Sequence, residues 1–381
     1  MNDKFQIFKN QYGENAELSF FAPGRINLIG EHIDYNGGNV LPCTLNFGTL
    51  LLVRKTNDNI ISFSSTNYSY TQSININDIK SSYKEWVKYP IGVIAEFIRL
   101  GFPICGMDLL FSGDIPIGSG LSSSASIELV TAVALNEILD SKLSMINLIK
   151  LSQKAENNFV GVNCGIMDQF AIGMGEKDCA ILLNCNTLAY RKIPINTGKY
   201  KLIISDTNKP RKLIESKYNE RREECEKAFE IISSVKNIHY LCDLSFTELL
   251  NLKYLFTDNI LWKRVSHVVS ENERVDSASS ALESGDLEKF GRLMNKSHDS
   301  LKLDYDVTGK ELDVLVEEAR KIDGVLGSRM TGAGFGGCTI SLVNENNIKK
   351  FIDVVGKNYK KRIGLEAKFY TVNIGDGAKR I

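Results

Sequence analysis

Three short runs in the first quarter of the chain, GTLLLVRKT (48–56), NIISFSS (59–65) and YSYTQSIN (68–75), are separated by Asn-rich turns and predict consecutive strands. A fourth, GMDLLFSGD (106–114), ends where a glycine-serine loop begins. The period then changes. Apolar residues over 123–139 predict a long helix, and Leu148, Leu151, Ala155 and Phe159 recur at helical spacing within a second, over 144–159. CAILLNC (179–185) returns to strand. Pro194 and Thr197-Gly198 then interrupt the pattern and mark a boundary near 190–200. Beyond it come a strand at 201–206, a charged helix over 211–233, several amphipathic helices, a strand at 337–343, a further helix and a strand at 368–374. The pattern predicts an α+β chain of two domains, 1–199 and 200–381, each a sheet with helices on one side.

One segment breaks the alternation. APGRINLIGEHIDYNGG (22–38) packs Arg25, Glu31, His32 and Asp34 into ten residues between glycines. Ile26, Leu28 and Ile29 alternate imperfectly with polar neighbours, so a strand runs into it and opens into a turn at residues 34–38. A solvated hairpin with scattered charges is the plain reading. Three side chains able to hold hydroxyls beside one fixed cation instead suit a polar, uncharged substrate such as a sugar.

Composition narrows the partners. Lys plus Arg and Asp plus Glu each total 46, so the formal charge is zero and the broad basic footprint of a nucleic-acid binder is absent. An anionic ligand must be held by local dipoles and a few placed cations. The N-terminal stretch lacks the apolar core of a signal peptide, and no run approaches the ~18 apolar residues of a spanning helix. The eight cysteines form no C-x-x-C pair, and Cys164, Cys179 and Cys185 lack histidines in metal-binding spacing. Reduced thiols in a cytoplasmic protein, with no membrane partner, are expected.

Two glycine-rich stretches offer backbone to a ligand. IPIGSGLSSSASIELV (115–130) leads from a strand into a helix, with Gly118 and Gly120 in the loop and Ser122, Ser123 and Ser124 at the helix N-cap and first turn. Free amides and the positive end of the helix dipole favour an anion there. The Walker pattern is absent, so a P-loop is excluded. Serine is also the ordinary capping residue, which is the plainer explanation of such a start. GSRMTGAGFGGCTI (327–340) carries five glycines, too many for a stable helix or strand interior. It suits backbone passing within contact of a ligand or of the first loop.

Together these stretches carry a resemblance. GRINLIGEHIDY resembles the galactokinase signature, Pro116 to Ala125 resembles the second motif of the wider GHMP small-molecule kinases, and 327–340 resembles the third, all in family order. The resemblance covers nearly the whole chain. It implies a two-domain GHMP-kinase-like fold, with a mixed-sheet N-terminal domain, a ferredoxin-like C-terminal domain and the active site between them.

The same resemblance implies site residues. Asp168, in GIMDQF, resembles the family aspartate that takes or orients the hydroxyl proton, and Arg25 the arginine that neutralises charge on the phosphoryl group. An arginine within ~4–6 Å depresses a carboxylate pKa, so Asp168 is expected ionised and orienting. Glu31, His32, Asp34, Gly165 and Tyr218 match sugar-contacting positions. Tyr218 also lies on the stripe Ile214, Tyr218, Cys225, Phe229, which describes a half-buried helix face equally well. Trp86 matches the residue against adenine, although core packing explains it too. Gly118, Ser119, Gly120, Leu121, Ser122, Ser123 and Ser124 match the ATP loop, and Ser124 and Glu156 the Mg²⁺ ligands. His298 and Asp304 read as structural or as shaping the cleft.

The implied activity is ATP-dependent phosphorylation of the anomeric C1 hydroxyl of galactose, with galactose and MgATP as partners and no obligate protein partner. An N-acetylgalactosamine kinase or related sugar-1-kinase is the near alternative. A non-catalytic galactose/ATP sensor is the distant one, because such proteins are marked by damage to the serine loop, and GLSSSAS is intact.

Overall fold

Pro23 decides how the first sheet meets the site. The computed structural model describes residues 2–80, 83–116, 119–209 and 214–381. In it β1 (Leu18–Asn27) and β3 (Pro42–Thr56) pair antiparallel, with Phe20 opposite Leu51. The register shifts between Pro23 and Arg25. Pro23 has no N–H to donate, and Gly48 opposite it has no room for a side chain, since a Cβ there would stand 2.0 Å from the Ala22 carbonyl. The irregularity turns the Arg25 amide out of the ladder and onto the Leu121 carbonyl at 3.1 Å. Arg25 is thereby aimed away from the sheet.

The remaining strands are β2 (Asn39–Val40), β4 (Ile60–Ser65), β5 (Gln72–Asn75), β6 (Gly106–Gly113), β7 (Cys179–Asn184), β8 (Tyr190–Pro194), β9 (Tyr200–Asp206), β10 (Val325–Thr331), β11 (Cys338–Asn344), β12 (Lys368–Val372) and β13 (Lys379–Arg380). The first sheet runs β13-β1-β3-β6-β4-β5, with β4 and β6 parallel and every other neighbour antiparallel. It is a mixed sheet. β2, β7 and β8 form a small second sheet.

Helix Ser123–Ile138 is apolar almost all round, and it packs against β1, β3 and the helices Lys88–Arg99 and Met145–Ala155. Met145–Ala155 continues as a π-helix over Glu156–Val160, closed by Gly161 at φ +84°. A second π-helix, Leu301–Tyr305, extends helix Leu287–Ser300. The sequence pattern predicted the first helix extension but not its widened turn.

The four-stranded antiparallel sheet β10-β11-β9-β12 is covered on both faces rather than one. Ile203 and Val343 face Val314, Leu315, Phe351 and Val355 of the helices Gly309–Ala319 and Ile348–Ile363. Leu202, Ile204, Ile340 and Leu342 face the main core.

Strand β10 lies where glycine density argued against a strand. Its Gly327 lets helix Leu287–Ser300 approach, because a Cβ on Gly327 would meet the Gly291 carbonyl at 2.4 Å, and one on Gly291 the Leu326 carbonyl at 2.4 Å. Glycine here serves close helix–strand packing. The glycine loop proper is 332–337, between β10 and β11. At the far end of the chain, β13 returns to pair with Phe20 and Phe21 of β1. The last strand therefore crosses the expected boundary at 199/200.

Candidate active site

Arg25 and Asp168, 143 residues apart, form a two-pronged ion pair. Arg25 Nε donates to Asp168 Oδ1 and Nη2 to Oδ2, each at 2.8 Å, while Nη1 donates to the Gly120 carbonyl at 2.8 Å. Asp168 lies in the first turn of helix Met167–Met174, where free amides favour a carboxylate. The Ser122 hydroxyl donates to Oδ2 at 2.5 Å. Three of roughly four acceptor sites on the carboxylate are thus filled, leaving about one for an incoming hydroxyl.

Ser122 is the N-cap of helix Ser123–Ile138, yet its side chain caps nothing. The residue sits at φ +61°, a left-handed conformation that serine rarely adopts, and the hydroxyl is spent on Asp168. The ordinary-cap explanation of the serine loop therefore does not hold for this residue.

These groups line a cleft of about 340 Å³ that takes walls from both halves of the chain. On one side stand Asp34, Gly165 and Tyr218. Burial, and then the nearby Asp168 charge, push the Asp34 carboxyl up to about 6. A side chain at 165 would strike it, since a Cβ would stand 2.0 Å from Asp34 Oδ2. The Tyr218 ring lies 5.7 Å from His32 and 5.6 Å from Tyr35, so it is part of the cleft wall.

His32 and Glu31 line the same cleft but spend most of their polar atoms inside the protein. His32 Nδ1 lies 2.9 Å from the Tyr35 hydroxyl and Nε2 3.1 Å from the Ala333 carbonyl. Nε2 must donate to that carbonyl, so Nδ1 accepts from Tyr35. Burial holds the imidazole down to about 3, keeping it neutral. Glu31 Oε1 accepts from the Gly332 amide at 3.0 Å and the Thr331 hydroxyl at 3.2 Å, and Oε2 faces Arg329 Nη2 at 2.5 Å.

The serine loop forms the opposite wall. Ser123 and Ser124 line both this cleft and a neighbouring one of about 140 Å³. Gly332 backs onto the loop, where an added Cβ would stand 3.2 Å from the Gly120 carbonyl, so the second glycine stretch does touch the first. Ser119 turns its hydroxyl to the Pro116 carbonyl at 2.6 Å, and the Leu121 side chain lies in the core. Gly118 lies outside the described residues. Trp86 lines the smaller cleft, although it is only 8% exposed. Tyr68, expected as the start of a strand over 68–75 but lying before β5, is nearly parallel to Trp86 at 6.4 Å and is 40% exposed.

Glu156 opens the first π-helix and is buried within hydrogen-bond reach of the Ser124 hydroxyl. Its Oε2 accepts from Gln169 Nε2 at 2.6 Å, and the same amide reaches Glu128 Oε2 at 3.1 Å. Burial, then the Asp168 charge, push Glu156 up. Glu128 Oε1 and Gln169 Oε1 are buried with no hydrogen-bond partner. Two hard oxygens side by side, in a pocket with surplus negative charge, fit a small divalent cation that takes few protein ligands and completes its shell with phosphate and water. Among the described residues no group of three His, Cys, Asp or Glu is arranged to hold a metal without such help.

His298 and Asp304 fall outside the cleft. His298 Nδ1 accepts from the Met330 amide at 3.3 Å, and Asp304 Oδ2 accepts from the Ser300 hydroxyl at 2.9 Å. Glu128, Gln169 and Arg329 were missed, although each sits inside a quoted motif. Nothing in a linear motif shows which of its members points inward.

Comparisons with known proteins place the chain in a family. The galactokinase galactose-binding signature matches residues 6–55, the GHMP kinases N terminal domain 88–176 and the GHMP kinases C terminal region 278–361. A galactokinase of Clostridium tetani is 55% identical, covering 100% of this chain and 98% of its own length. One from Fusobacterium nucleatum is 50% identical, with 100% and 98% covered. The crystal structure of Lactococcus lactis galactokinase complexed with galactose superposes with a TM-score of 0.97 at 44% identity, covering 100% of this chain and 99% of that one. A mevalonate kinase at 22% identity and a TM-score of 0.69 shares the fold.

Proposed function

The chain belongs to the galactokinase family of GHMP kinases, and from that premise we infer that it transfers the γ-phosphoryl group of ATP to the anomeric hydroxyl of galactose, giving galactose 1-phosphate and ADP. The observation that carries this is the Arg25–Asp168 pair standing in the larger cleft, which meets the smaller one at Ser123 and Ser124.

In this reading the sugar lies against Asp34, Gly165 and Tyr218, with its anomeric hydroxyl at the free edge of Asp168. Arg25 and the Ser122 hydroxyl hold that carboxylate in place, which suits orientation of the sugar hydroxyl. Because phosphoryl transfer passes through a loose transition state, positioning and charge stabilisation supply most of the rate, and the proton leaves late. Arg25 then has two tasks, fixing Asp168 and stabilising charge on the transferring group. Amides of the Gly120–Ser124 loop face the phosphates, and the adenine lies in the smaller cleft beside Trp86 and Tyr68. Ser124 and Glu156 would hold Mg²⁺, which supplies neutralisation of the phosphate oxygens.

Residues 1–199 and 200–381 serve as the two domains, with the strand Lys379–Arg380 returned to the sheet of the first. Among the described residues no cysteine stands in a disulfide and no helix is long and apolar enough to cross a membrane, and the reduced thiols support a cytoplasmic enzyme.

The test is ADP release with ATP and a panel of hexoses. Galactose-stimulated ADP formation is expected, with N-acetylgalactosamine a poor substrate. Folded protein that binds galactose and ATP but forms no ADP would be a sensor.

A further inference from the structure

Four charged side chains meet beneath the sugar-side turn. Arg329 has a fully buried side chain, 2.5 Å from Glu31 and 4.0 Å from Glu271, and its Nη1 donates to the Asn27 and Leu28 carbonyls at 3.1 and 3.2 Å. Glu271, itself fully buried, accepts from the Gly30 amide at 3.0 Å and the Ser297 hydroxyl at 2.5 Å, and pairs with Arg274 at 2.6 Å. Two carboxylates and two guanidinium groups balance. The backbone of residues 27–30 is thus gripped from two elements of the other half of the chain, β10 and helix Asn259–Glu283, while Ser297 of helix Leu287–Ser300 braces Glu271.

Such a network is a poor device for stability alone, because well-packed apolar side chains of the same volume would do as well or better. Its distinguishing property is direction. The planar Arg329 fork touches the signature strand's carbonyls and the Glu31 carboxylate at once, so it fixes where Glu31 and the following turn stand. Glu31 in turn holds the Thr331 hydroxyl and the Gly332 amide.

We propose that Arg329 is a positioning residue for the sugar site, acting through Glu31 to set the turn that carries His32 and Asp34. The proposal rests on the galactose reading of the cleft, which galactose-stimulated ADP formation by the unaltered protein tests first and separately.

With that activity in hand, Arg329→Lys keeps the charge and loses the fork. Galactose KM and galactose Kd by calorimetry rise about tenfold or more, the scale of a lost charge-assisted hydrogen bond, while ATP KM stays within about twofold. On a Glu31→Gln background, Arg329→Lys adds little further loss of galactose affinity, because the intermediary is already altered. Glu271→Gln, which keeps an acceptor for the Gly30 amide and drops one charge, moves galactose KM the same way by a smaller factor, and carries the test if the Arg329 variant does not fold. Equal changes in galactose and ATP KM, unchanged galactose affinity in the folded variants, or full additivity with Glu31→Gln would overturn the proposal.

Discussion

Gly165 is bare because Asp34 occupies the space its side chain would need: an added Cβ would stand 2.0 Å from Asp34 Oδ2. The backbone of Gly165 is not in the left-handed region, so alanine is excluded by the neighbour and not by φ. Gly165→Ala should therefore displace Asp34 and raise galactose KM at least about tenfold, with ATP KM unchanged. Steady-state kinetics in both substrates decides it. An alanine variant with wild-type galactose KM would mean that Asp34 does not meet the sugar.

Replacing Asp168 with Asn preserves shape and one acceptor oxygen for Arg25, while losing the charge. Turnover should fall about a hundredfold or more, the usual cost of removing a positioned acid–base or charge-stabilising group. The circular dichroism spectrum should be unchanged. Near-normal turnover would refute the role assigned to Asp168.

The Asp34 carboxyl, pushed up to about 6, gives galactose capture an acid limb. If the ionised form accepts sugar hydroxyls, kcat/KM for galactose is flat above that pH and falls about tenfold per unit below it. The folding consequence has the opposite sign. With a folded pKa above the unfolded 3.8, the ionised group costs stability above about pH 6, and the cost is relieved as pH falls toward 3.8. Asp34→Asn should abolish the limb and melt no lower than the parent at pH 8. A limb unmoved in the Asn variant assigns it to another group.

Tyr68 and Trp86 separate nucleotide contact from core packing. Trp86 is nearly buried, so Trp86→Ala should cost about 3–5 kcal/mol of stability whatever its role with ATP. Tyr68, 40% exposed at the mouth of the same cleft, can be cut back with little effect on melting. Tyr68→Ala should raise ATP KM about fivefold or more, given the worth of a base–aromatic stack, and leave galactose KM alone. An unchanged ATP KM would move adenine away from this cleft.

What could be seen in the sequence was whatever lies close together along it. The serine loop and the charged signature turn each announced themselves within about a dozen residues, because backbone freedom and dense polarity are local properties; Asp168 follows only from the resemblance of GIMDQF to the family segment. The β-strands at 60–65 and 179–184 followed from short apolar runs in the same way. Glu31 shows the limit. Its residue type suggested a hand for hydroxyls, but Arg329 lies 298 positions away in sequence, and only the fold reveals that the carboxylate is already engaged. Strand β10 was hidden for a related reason: Gly327 weakens a strand locally and pays only through Gly291 on another element. Glu128 shares its helix with the serine loop, yet its meeting with Glu156 depends on how two helices and Gln169 pack.

Ser122 keeps a backbone angle that glycine would adopt freely. Glycine there would relieve roughly 1–2 kcal/mol of left-handed strain. Against that stand about 0.4–1 kcal/mol of extra freedom in the unfolded chain and about 1.5–3 kcal/mol for the lost bond to a carboxylate. The losses outweigh the relief by only about 1–2 kcal/mol. A library sorted by heat resistance would pass Ser122→Gly as a mild loss, although the variant has lost one of the three anchors on its phosphoryl-transfer carboxylate, and only a turnover assay would expose the damage.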